Sequence, residues 1–118
     1  MPYSEEGKVL VVEDDEAMLS LMGRKFREAN LDSILVGTAA QAIQAIGEAQ
    51  LRGLYLDGLN GGWEWVANAA IAAGIIPHKV VLVTSSPGAY IDKAAEMGVS
   101  LVSRYKEDWL EQILRTIE

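Results

Sequence analysis

Five short apolar runs alternate with five segments of helical spacing, and this alternation limits the chain to a small set of folds. Strands separated by helices pair in parallel, because each connection crosses over a face of the sheet in a right-handed sense. The sequence therefore predicts an α/β fold: a single (βα)5 doubly wound domain, with a five-stranded parallel sheet in the order 2-1-3-4-5 and helices on both faces. The predicted strands are residues 8–13, 33–38, 53–57, 79–86 and 99–104, and the predicted helices are 15–30, 39–50, 62–74, 88–98 and 107–118.

The chain of 118 residues suits one domain, for which we predict an N-terminal tail over residues 1–7 and a folded domain over 8–118. It contains no Cys, which excludes disulfides and zinc–thiolate sites. Its net charge of −7 disfavours nucleic acid as a direct partner. No apolar run is long enough for membrane insertion, and the first residues lack the basic segment and cleavage pattern of a signal peptide. We therefore expect a cytoplasmic protein.

Acidic residues stand where two neighbouring predicted strands end. Strand 1 ends in Glu13, Asp14 and Asp15, and strand 3 ends in Asp57. In a sheet with strands 1 and 3 side by side, Asp14 and Asp57 face each other across about 5 Å. Two bare carboxylates that close repel by about 3 kcal/mol at an effective dielectric constant of about 20. A Mg²⁺ ion removes this repulsion and prefers such oxygen ligands, so the sequence predicts a Mg²⁺ site here.

The same end of the sheet offers groups that suit phosphoryl chemistry. With Mg²⁺ present, Asp57 can act as a nucleophile toward a phosphoryl group and form an aspartyl phosphate. Thr84, at the end of strand 4, and a nearby cation would stabilise charge on the transferred oxygens. Gly58 follows Asp57 and lets backbone N–H groups approach a phosphate, because it has no Cβ.

These motifs resemble those of the response-regulator receiver domains of two-component signalling, over essentially the whole chain. The resemblance implies that Glu13 and Asp14 are the acid pair that binds the metal, and that Asp57 is the phosphoacceptor. It also implies that Thr84 is the hydroxyl residue of strand 4. The matching segments are "VLVVEDDE" (9–16), "LYLDG" (54–58), "VVLVTSS" (80–86) and "AAEMGVS" (94–100).

Two further site residues follow from the same resemblance. The family's third metal ligand is a carbonyl two residues after the phosphoacceptor, which is Leu59 here. Arg104 lies nearest the position of the family's Lys. The chain also departs from the family: the loop Gly58-Leu59-Asn60-Gly61-Gly62 is shorter and lacks Met-Pro, and "SRYKED" (103–108) replaces Lys-Pro.

The function that the resemblance implies is that of a stand-alone response-regulator receiver. A histidine kinase or a phosphotransfer protein would phosphorylate Asp57 in the presence of Mg²⁺. The surface formed by helix 4, strand 5 and helix 5 would then signal to a downstream protein partner or through a homodimer. Such a protein is a signalling module of a phosphorelay rather than an enzyme. The main alternative is a pseudo-receiver, a protein-binding module that acts without phosphorylation, which the missing Lys and the shorter loop favour.

Other functions on the same fold suit the sequence less well. A Mg²⁺-dependent phosphohydrolase with an Asp nucleophile would need a general acid about two residues after Asp57, where Leu59 stands. A flavin-binding protein would hold a phosphate with hydroxyls and amides after strand 1, and the three acids at that position repel a phosphate.

Each candidate site residue also has a purely structural interpretation. The acids at 13–15 suit the N-terminus of the first helix, through capping and the helix dipole. Asp57 and Gly58 suit an Asp-Gly turn. Thr84 could cap the helix that follows strand 4, and Arg104 could be a surface residue.

Two tryptophans follow the loop after strand 3. Trp63 and Trp65 are two residues apart, so they cannot share one face of a helix. We therefore expect one of them in the core and the other exposed. An exposed Trp would mark a contact with a partner or with a second copy of the chain.

Overall fold

A computed structural model describes residues 3–59 and 62–118 of the chain. The strands are β1 (Tyr3–Val12), β2 (Ser33–Val36), β3 (Leu51–Asp57), β4 (Val80–Thr84) and β5 (Ser100–Ser103). The helices are α1 (Glu16–Glu28), α2 (Ala39–Glu48), α3 (Trp63–Ala72), α4 (Ile91–Met97) and α5 (Trp109–Ile117). Short 3-10 turns at Pro77–Lys79 and Pro87–Ala89 precede β4 and α4.

The five strands form one parallel sheet in the order β2-β1-β3-β4-β5. This order confirms the predicted doubly wound α/β fold. Val12 pairs with Leu56, and Thr84 pairs with Ser103. These pairs bring the carboxyl ends of β1, β3, β4 and β5 to one edge of the sheet, which is where ligands bind in folds of this kind.

Residues 9–12 of β1 and 80–83 of β4 are continuous apolar runs because helices cover both faces of the sheet. Alternate strand residues enter two separate cores. Leu10 and Leu54 belong to the core under α2, α3 and α4, whereas Val11 and Tyr55 belong to the core under α1 and α5. Asp57 follows Tyr55 by two residues on β3, so both side chains leave the strand on the same face.

The helices are short and turn an apolar stripe toward the sheet. Met22 and Phe26 are buried one turn apart on α1, and Ile113 and Ile117 are buried one turn apart on α5. Among the described residues, we find no helix with the length and apolar character needed to cross a bilayer.

The first strand starts earlier than the sequence predicted. Residues 3–7, which we expected to belong to a tail, are part of β1, while residues 1 and 2 lie outside the described residues. Tyr3 and Lys8 both pair with Leu51, so the segment between them bulges from the regular ladder. Tyr3 is held because its side chain packs against the core under α2, α3 and α4. Gly7 permits the bulge, since a Cβ there would lie 2.7 Å from the Gln50 carbonyl oxygen.

Candidate functional site

A cleft of about 280 Å³ opens at the edge where β1, β3, β4 and β5 end. Its walls come from the segments that directly follow these strands, and most of its lining side chains are polar. The residues that line it are Asp14, Asp57, Gly58, Leu59, Thr84, Ser85, Ser86, Tyr90 and Arg104.

Three carboxylates meet at one end of the cleft. Glu13, Asp14 and Asp57 each offer one oxygen, and these oxygens lie within 4.8 Å of one another. The sheet explains this closeness, because Val12 pairs with Leu56 and the acids follow directly on both strands. Glu13 is buried and Asp14 is exposed, so the cluster reaches from the protein interior to the solvent. The sequence placed Asp14 opposite Asp57, and the two carboxylates are indeed close.

The pKa of the Asp57 carboxyl is raised by its surroundings in this cluster. Burial, together with the nearby Glu13 charge, raises the pKa of Asp57 from 3.8 to about 6. The Leu59 N–H and the Arg104 charge act in the opposite direction but do not cancel the increase. Asp57 is therefore mostly ionised at neutral pH, and an additional cation close to it would be bound favourably.

Glu13 is held in place by three donors. The Tyr55 hydroxyl donates to Glu13 Oε1 at 3.0 Å, and Arg104 Nη2 donates to the same oxygen at 2.6 Å. The backbone N–H of Asp15 donates to Glu13 Oε2 at 3.2 Å. Both carboxylate oxygens are therefore engaged, which allows a charged side chain to be almost completely buried.

Arg104 lies inside the site and not on the surface. Its backbone N–H donates to the Thr84 carbonyl at 3.0 Å, so the residue directly continues the pairing of β5 with β4. Its side chain is only 21% exposed and lies between two acids. Nη2 contacts Glu13 and also the Tyr55 hydroxyl, while Nη1 is 3.9 Å from Asp57 Oδ1. The register of β5, which could not be determined from the sequence, brings the Arg104 guanidinium to the acid cluster.

Thr84 lies at the back of the cleft and is buried. Its hydroxyl oxygen accepts a hydrogen bond from the Ser86 N–H at 3.0 Å. This is a local capping contact of the kind expected for a Thr before a helical turn. The hydroxyl proton is not used in that contact, so Thr84 both shapes the backbone and can still donate to an oxygen in the cleft.

The loop after β3 turns sharply at Leu59, which has a φ of +51°. The Leu59 N–H donates to Asp57 Oδ2 at 3.4 Å, so Asp57 also makes the local turn contact expected of an Asp-Gly pair. The Leu59 carbonyl accepts from the Gly62 N–H at 3.1 Å. This carbonyl, predicted to bind the metal, therefore already has a partner. Asn60 and Gly61 lie outside the described residues.

Gly58 allows an aromatic side chain to close the other wall of the cleft. A Cβ at Gly58 would lie 2.9 Å from the Tyr90 hydroxyl oxygen, so only a Gly accommodates Tyr90 in this position. The Tyr90 ring packs edge-on against Trp63, with 5.9 Å between ring centroids. Tyr90 therefore connects the loop that follows Asp57 with Trp63, in the first turn of α3.

Solved structures with this architecture were found by comparison of the fold, whereas models of known protein families and curated protein sequences yielded no match. A two-component response regulator from Clostridium difficile has a TM-score of 0.78 and 17% identity, covering 93% of each chain. The receiver domain of NtrX from Brucella abortus has a TM-score of 0.77 and 19% identity, covering 93% of this chain and 97% of that one.

A third similar structure is the receiver domain of a sensor histidine kinase from Pseudomonas aeruginosa, which holds a magnesium ion in its active site cleft. Its TM-score is 0.73 at 13% identity, with 94% of this chain and 93% of that one covered. The chain has the fold of a receiver domain. The fold-level part of the predicted resemblance is therefore confirmed over nearly the whole chain.

The predicted site residues of this receiver fold separate into two groups. Asp14, Asp57, Leu59, Thr84 and Arg104 line the cleft, and Glu13 lies behind them. Of the three acids at 13–15, only Asp15 caps α1. Its Oδ1 accepts a hydrogen bond from the Met18 N–H. The chemical roles of the cleft residues stay predictions.

The two tryptophans lie on opposite sides of α3, as expected from their spacing. Trp63 is 2% exposed and packs in the core, while Trp65 is 59% exposed. The sequence alone does not show which of the two tryptophans is buried, because that depends on where α3 begins. Gly62 precedes the helix, so Trp63 is its first residue and is turned toward the sheet.

We did not predict from the sequence that Tyr55 contacts the residues of the site. Its ring is completely buried, and its hydroxyl contacts both Glu13 and Arg104. A signal was present: Tyr55 precedes Asp57 by two residues in a buried strand, so its polar end shares a face with Asp57. A buried Tyr hydroxyl needs a partner, and the acids at this edge of the receiver fold are the nearest candidates.

Proposed function

We propose that this protein is a receiver that accepts a phosphoryl group on Asp57 from a histidine kinase or a phosphotransfer protein, in a Mg²⁺-dependent reaction. The observation that carries the proposal is the position of Asp57 at the end of β3, 3.9 Å from the Arg104 guanidinium and within 4.8 Å of carboxylate oxygens of Glu13 and Asp14. An ionised carboxylate therefore stands beside a cation and next to two further acids that could bind a metal ion.

The transfer step is a displacement at phosphorus. A carboxylate oxygen of Asp57 attacks the phosphorus atom of a phosphohistidine and forms an O–P bond. The N–P bond breaks, and its electron pair stays on the imidazole nitrogen, which takes up a proton from solvent. The product is an aspartyl phosphate, whose hydrolysis by water returns the carboxylate and releases inorganic phosphate. Asp57 is ionised at neutral pH, so the nucleophile needs no base.

The acid cluster fits a Mg²⁺ ion by its chemistry. Three carboxylate oxygens within 4.8 Å form a hard, anionic donor set of the kind that Mg²⁺ prefers. Asp14 and Asp57 would contact the ion directly, because Glu13 is already engaged by Tyr55 and Arg104. The resemblance also implies the Leu59 carbonyl as a ligand, which would bind the ion with its second lone pair, beside the hydrogen bond from the Gly62 N–H. When bound, Mg²⁺ supplies positive charge that offsets the charge on the phosphoryl oxygens.

Two side chains of this chain would hold the transferred phosphoryl oxygens. Arg104 Nη1 faces Asp57 and can donate a charge-assisted hydrogen bond to an oxygen added there. The Thr84 hydroxyl lines the same cleft and can donate to another of these oxygens. Both groups are fixed before any phosphate arrives, which is the condition for effective electrostatic stabilisation.

The partners of this proposal are proteins. The kinase or phosphotransfer protein approaches the open edge of the cleft, where Asp14 and Ser85 are exposed. The downstream partner, or a second copy of the chain, would contact the surface of α4, β5 and α5. Two large apolar side chains are exposed on this side, Ile91 on α4 and Tyr105 after β5.

The second candidate is a pseudo-receiver that binds a partner without being phosphorylated. The observation that favours it is the 2.6 Å ion pair of Arg104 with Glu13, because a cation that is already neutralised holds a phosphoryl group less strongly. In this case the Arg104–Glu13 pair would only stabilise the fold at the cleft and would take no part in phosphoryl transfer.

The test is intact-mass measurement after incubation with acetyl phosphate and Mg²⁺. We expect one added phosphoryl group on the wild type and none on Asp57→Asn. Asp32→Asn is the matched control, since Asp32 is exposed and precedes β2 at the opposite edge of the sheet. Equal labelling of wild type and Asp57→Asn would reject Asp57 as the acceptor, and no labelling of any variant would favour the pseudo-receiver.

A further inference from the structure

Tyr55, Glu13 and Arg104 form a closed triangle of hydrogen bonds beneath the cleft. The Tyr55 hydroxyl donates to Glu13 Oε1, and Arg104 Nη2 donates both to that oxygen and to the Tyr55 hydroxyl. A phenolic hydroxyl carries its proton at neutral pH, so Tyr55 can act as the donor to Glu13. Each of the three groups thus contacts the other two in a largely buried position.

The triangle determines which edge of Arg104 faces the cleft. A guanidinium is planar, and its donors point in fixed directions. Because Nη2 is occupied by Glu13 and Tyr55, Nη1 points to the opposite side, where Asp57 Oδ1 lies 3.9 Å away. This distance is too long for a hydrogen bond. A gap therefore separates the charged donor Nη1 from the acceptor Asp57 Oδ1.

We propose that Tyr55 is a positioning residue for phosphoryl transfer, which acts by holding the Arg104 guanidinium so that Nη1 faces Asp57. The inference rests on the proposed function at Asp57. Tyr55 itself does not line the cleft, and its hydroxyl would not touch the phosphoryl group. Its effect passes entirely through Arg104.

The reason for a Tyr lies in how Arg and carboxylate prefer to pair. Alone, the two groups form a bidentate contact, with two parallel hydrogen bonds. If Nη1 and Nη2 made this contact together, Nη1 would lie on Glu13 and would no longer face Asp57. The Tyr55 hydroxyl takes the second position on Nη2, and the Asp15 N–H takes Glu13 Oε2, so only a single contact between Arg104 and Glu13 remains.

The Tyr55 ring is suited to this task because it cannot move. It is completely buried on β3 and belongs to the core that includes Val81, Val83 and Ile113. A ring packed on all sides presents its hydroxyl at one point with little loss of side-chain entropy. Arg104, in contrast, has a long flexible side chain that needs such an external contact to be ordered.

The experiment is a double-mutant cycle with Tyr55→Phe and Arg104→Ala, read out by beryllofluoride affinity in the presence of Mg²⁺. Tyr55→Phe removes only the hydroxyl, and we expect the affinity to fall on the order of tenfold, as for loss of a hydrogen bond to a charged group. In the Arg104→Ala background, Tyr55→Phe should cause no further loss. Tyr3→Phe, a change on β1 at the opposite end of the sheet and outside the cleft, is the matched control and should leave the affinity unchanged.

A spectroscopic measurement on the wild type tests the same claim without Tyr55→Phe, should that variant fail to fold. In ¹⁵N spectra of arginine-labelled protein, a guanidinium held at one Nη shows separate Nη1 and Nη2 signals, and a freely rotating one shows a single averaged signal. We expect separate signals for Arg104, assigned by their loss in Arg104→Ala. A single averaged signal in the wild type would overturn the proposal.

The outcomes separate the two proposals. If the wild type binds beryllofluoride and Tyr55→Phe binds it equally well, the role of Tyr55 is wrong and the proposed function stands. If Tyr55→Phe weakens binding to the same extent with and without Arg104, Tyr55 is a structural residue only. If the wild type does not bind beryllofluoride, the proposed function is wrong, and the role of Tyr55 is rejected with it.

Discussion

Arg104 and Glu13 form a largely buried ion pair, with 2.6 Å between Nη2 and Oε1, that joins the end of β5 to the end of β1. Between these two strands lie β3 and β4, so the pair spans the functional edge of the sheet. Removing one partner leaves a buried charge without compensation, which makes such pairs costly to break. The pair therefore links the stability of the protein to the geometry of its cleft.

The first prediction concerns this pair. Arg104→Ala should lower the free energy of unfolding by about 1–3 kcal/mol, less than for a completely buried pair because water reaches part of the Arg104 side chain. Urea denaturation measures the change. Arg115→Ala is the control, since Arg115 is largely exposed and contacts Glu111 at 3.7 Å, and its effect should stay within about 0.5 kcal/mol. Equal effects of both substitutions would contradict the buried pair.

The second prediction concerns pH. The pKa of Asp57 is raised to about 6 in the folded protein, from 3.8, so the native state binds the proton more tightly than the unfolded chain. Without Mg²⁺, the stability contributed by this proton is therefore present below about pH 4 and is lost as the pH rises through about 6. A pKa change of this size corresponds to at most about 3 kcal/mol.

Denaturation of wild type and Asp57→Asn across pH 4–7 isolates this contribution. The Asn variant cannot ionise at this position, so the difference between the two curves should grow from pH 4 to pH 7 in favour of the variant. Asp32→Asn should run parallel to the wild type. A constant difference between wild type and Asp57→Asn would show that the Asp57 pKa is not raised.

The third prediction concerns Mg²⁺. Millimolar Mg²⁺ should raise the melting temperature of the wild type by a few degrees, because an ion that binds only the native state stabilises it. Asp14→Ala should abolish this shift. Asp15→Ala is the control: it removes the cap of α1 and lowers stability by about 1 kcal/mol, yet it should keep the Mg²⁺-dependent shift, as Asp15 is not in the acid cluster. Loss of the shift in both variants would count against a site at Asp14.

The fourth prediction concerns the wall of the cleft. Gly58→Ala places a Cβ 2.9 Å from the Tyr90 hydroxyl oxygen, and Tyr90 has to turn away. Because Tyr90 packs edge-on against Trp63, its movement should change the fluorescence of this buried Trp. Stability should fall by only about 1 kcal/mol, since the far end of a side chain can yield. Gly88→Ala, where a Cβ meets open space, should leave both properties unchanged, and an unchanged spectrum of Gly58→Ala would refute the contact.

The fold could be predicted from the sequence because its elements are set by local patterns. Residues 80–83 of β4 and 9–12 of β1 are unbroken apolar runs, and the helices between strands show apolar residues one turn apart. The start of β1 could not be predicted in this way. Residues 4–6 are polar, and they belong to β1 because Tyr3, before them, packs in the core.

The candidate site could be predicted only in part. Asp14 and Asp57 end neighbouring strands, so the sheet order alone brings them together. The surroundings of Arg104 depend on the register of a four-residue strand and on the path of a long side chain, neither of which leaves a sequence pattern. Tyr55 is read as a core residue by its position in β3, and its polar contacts become visible only with Glu13 and Arg104 in place.

The central claim is that Asp57 receives the phosphoryl group, and trapping the acyl phosphate tests it most directly. Borohydride reduction of the protein, after incubation with acetyl phosphate and Mg²⁺, converts a phosphorylated Asp to homoserine, which peptide mass spectrometry locates. We predict homoserine at position 57 and at no other acid of the cleft. Homoserine at position 14 in place of 57, or unmodified peptides throughout, would contradict the account.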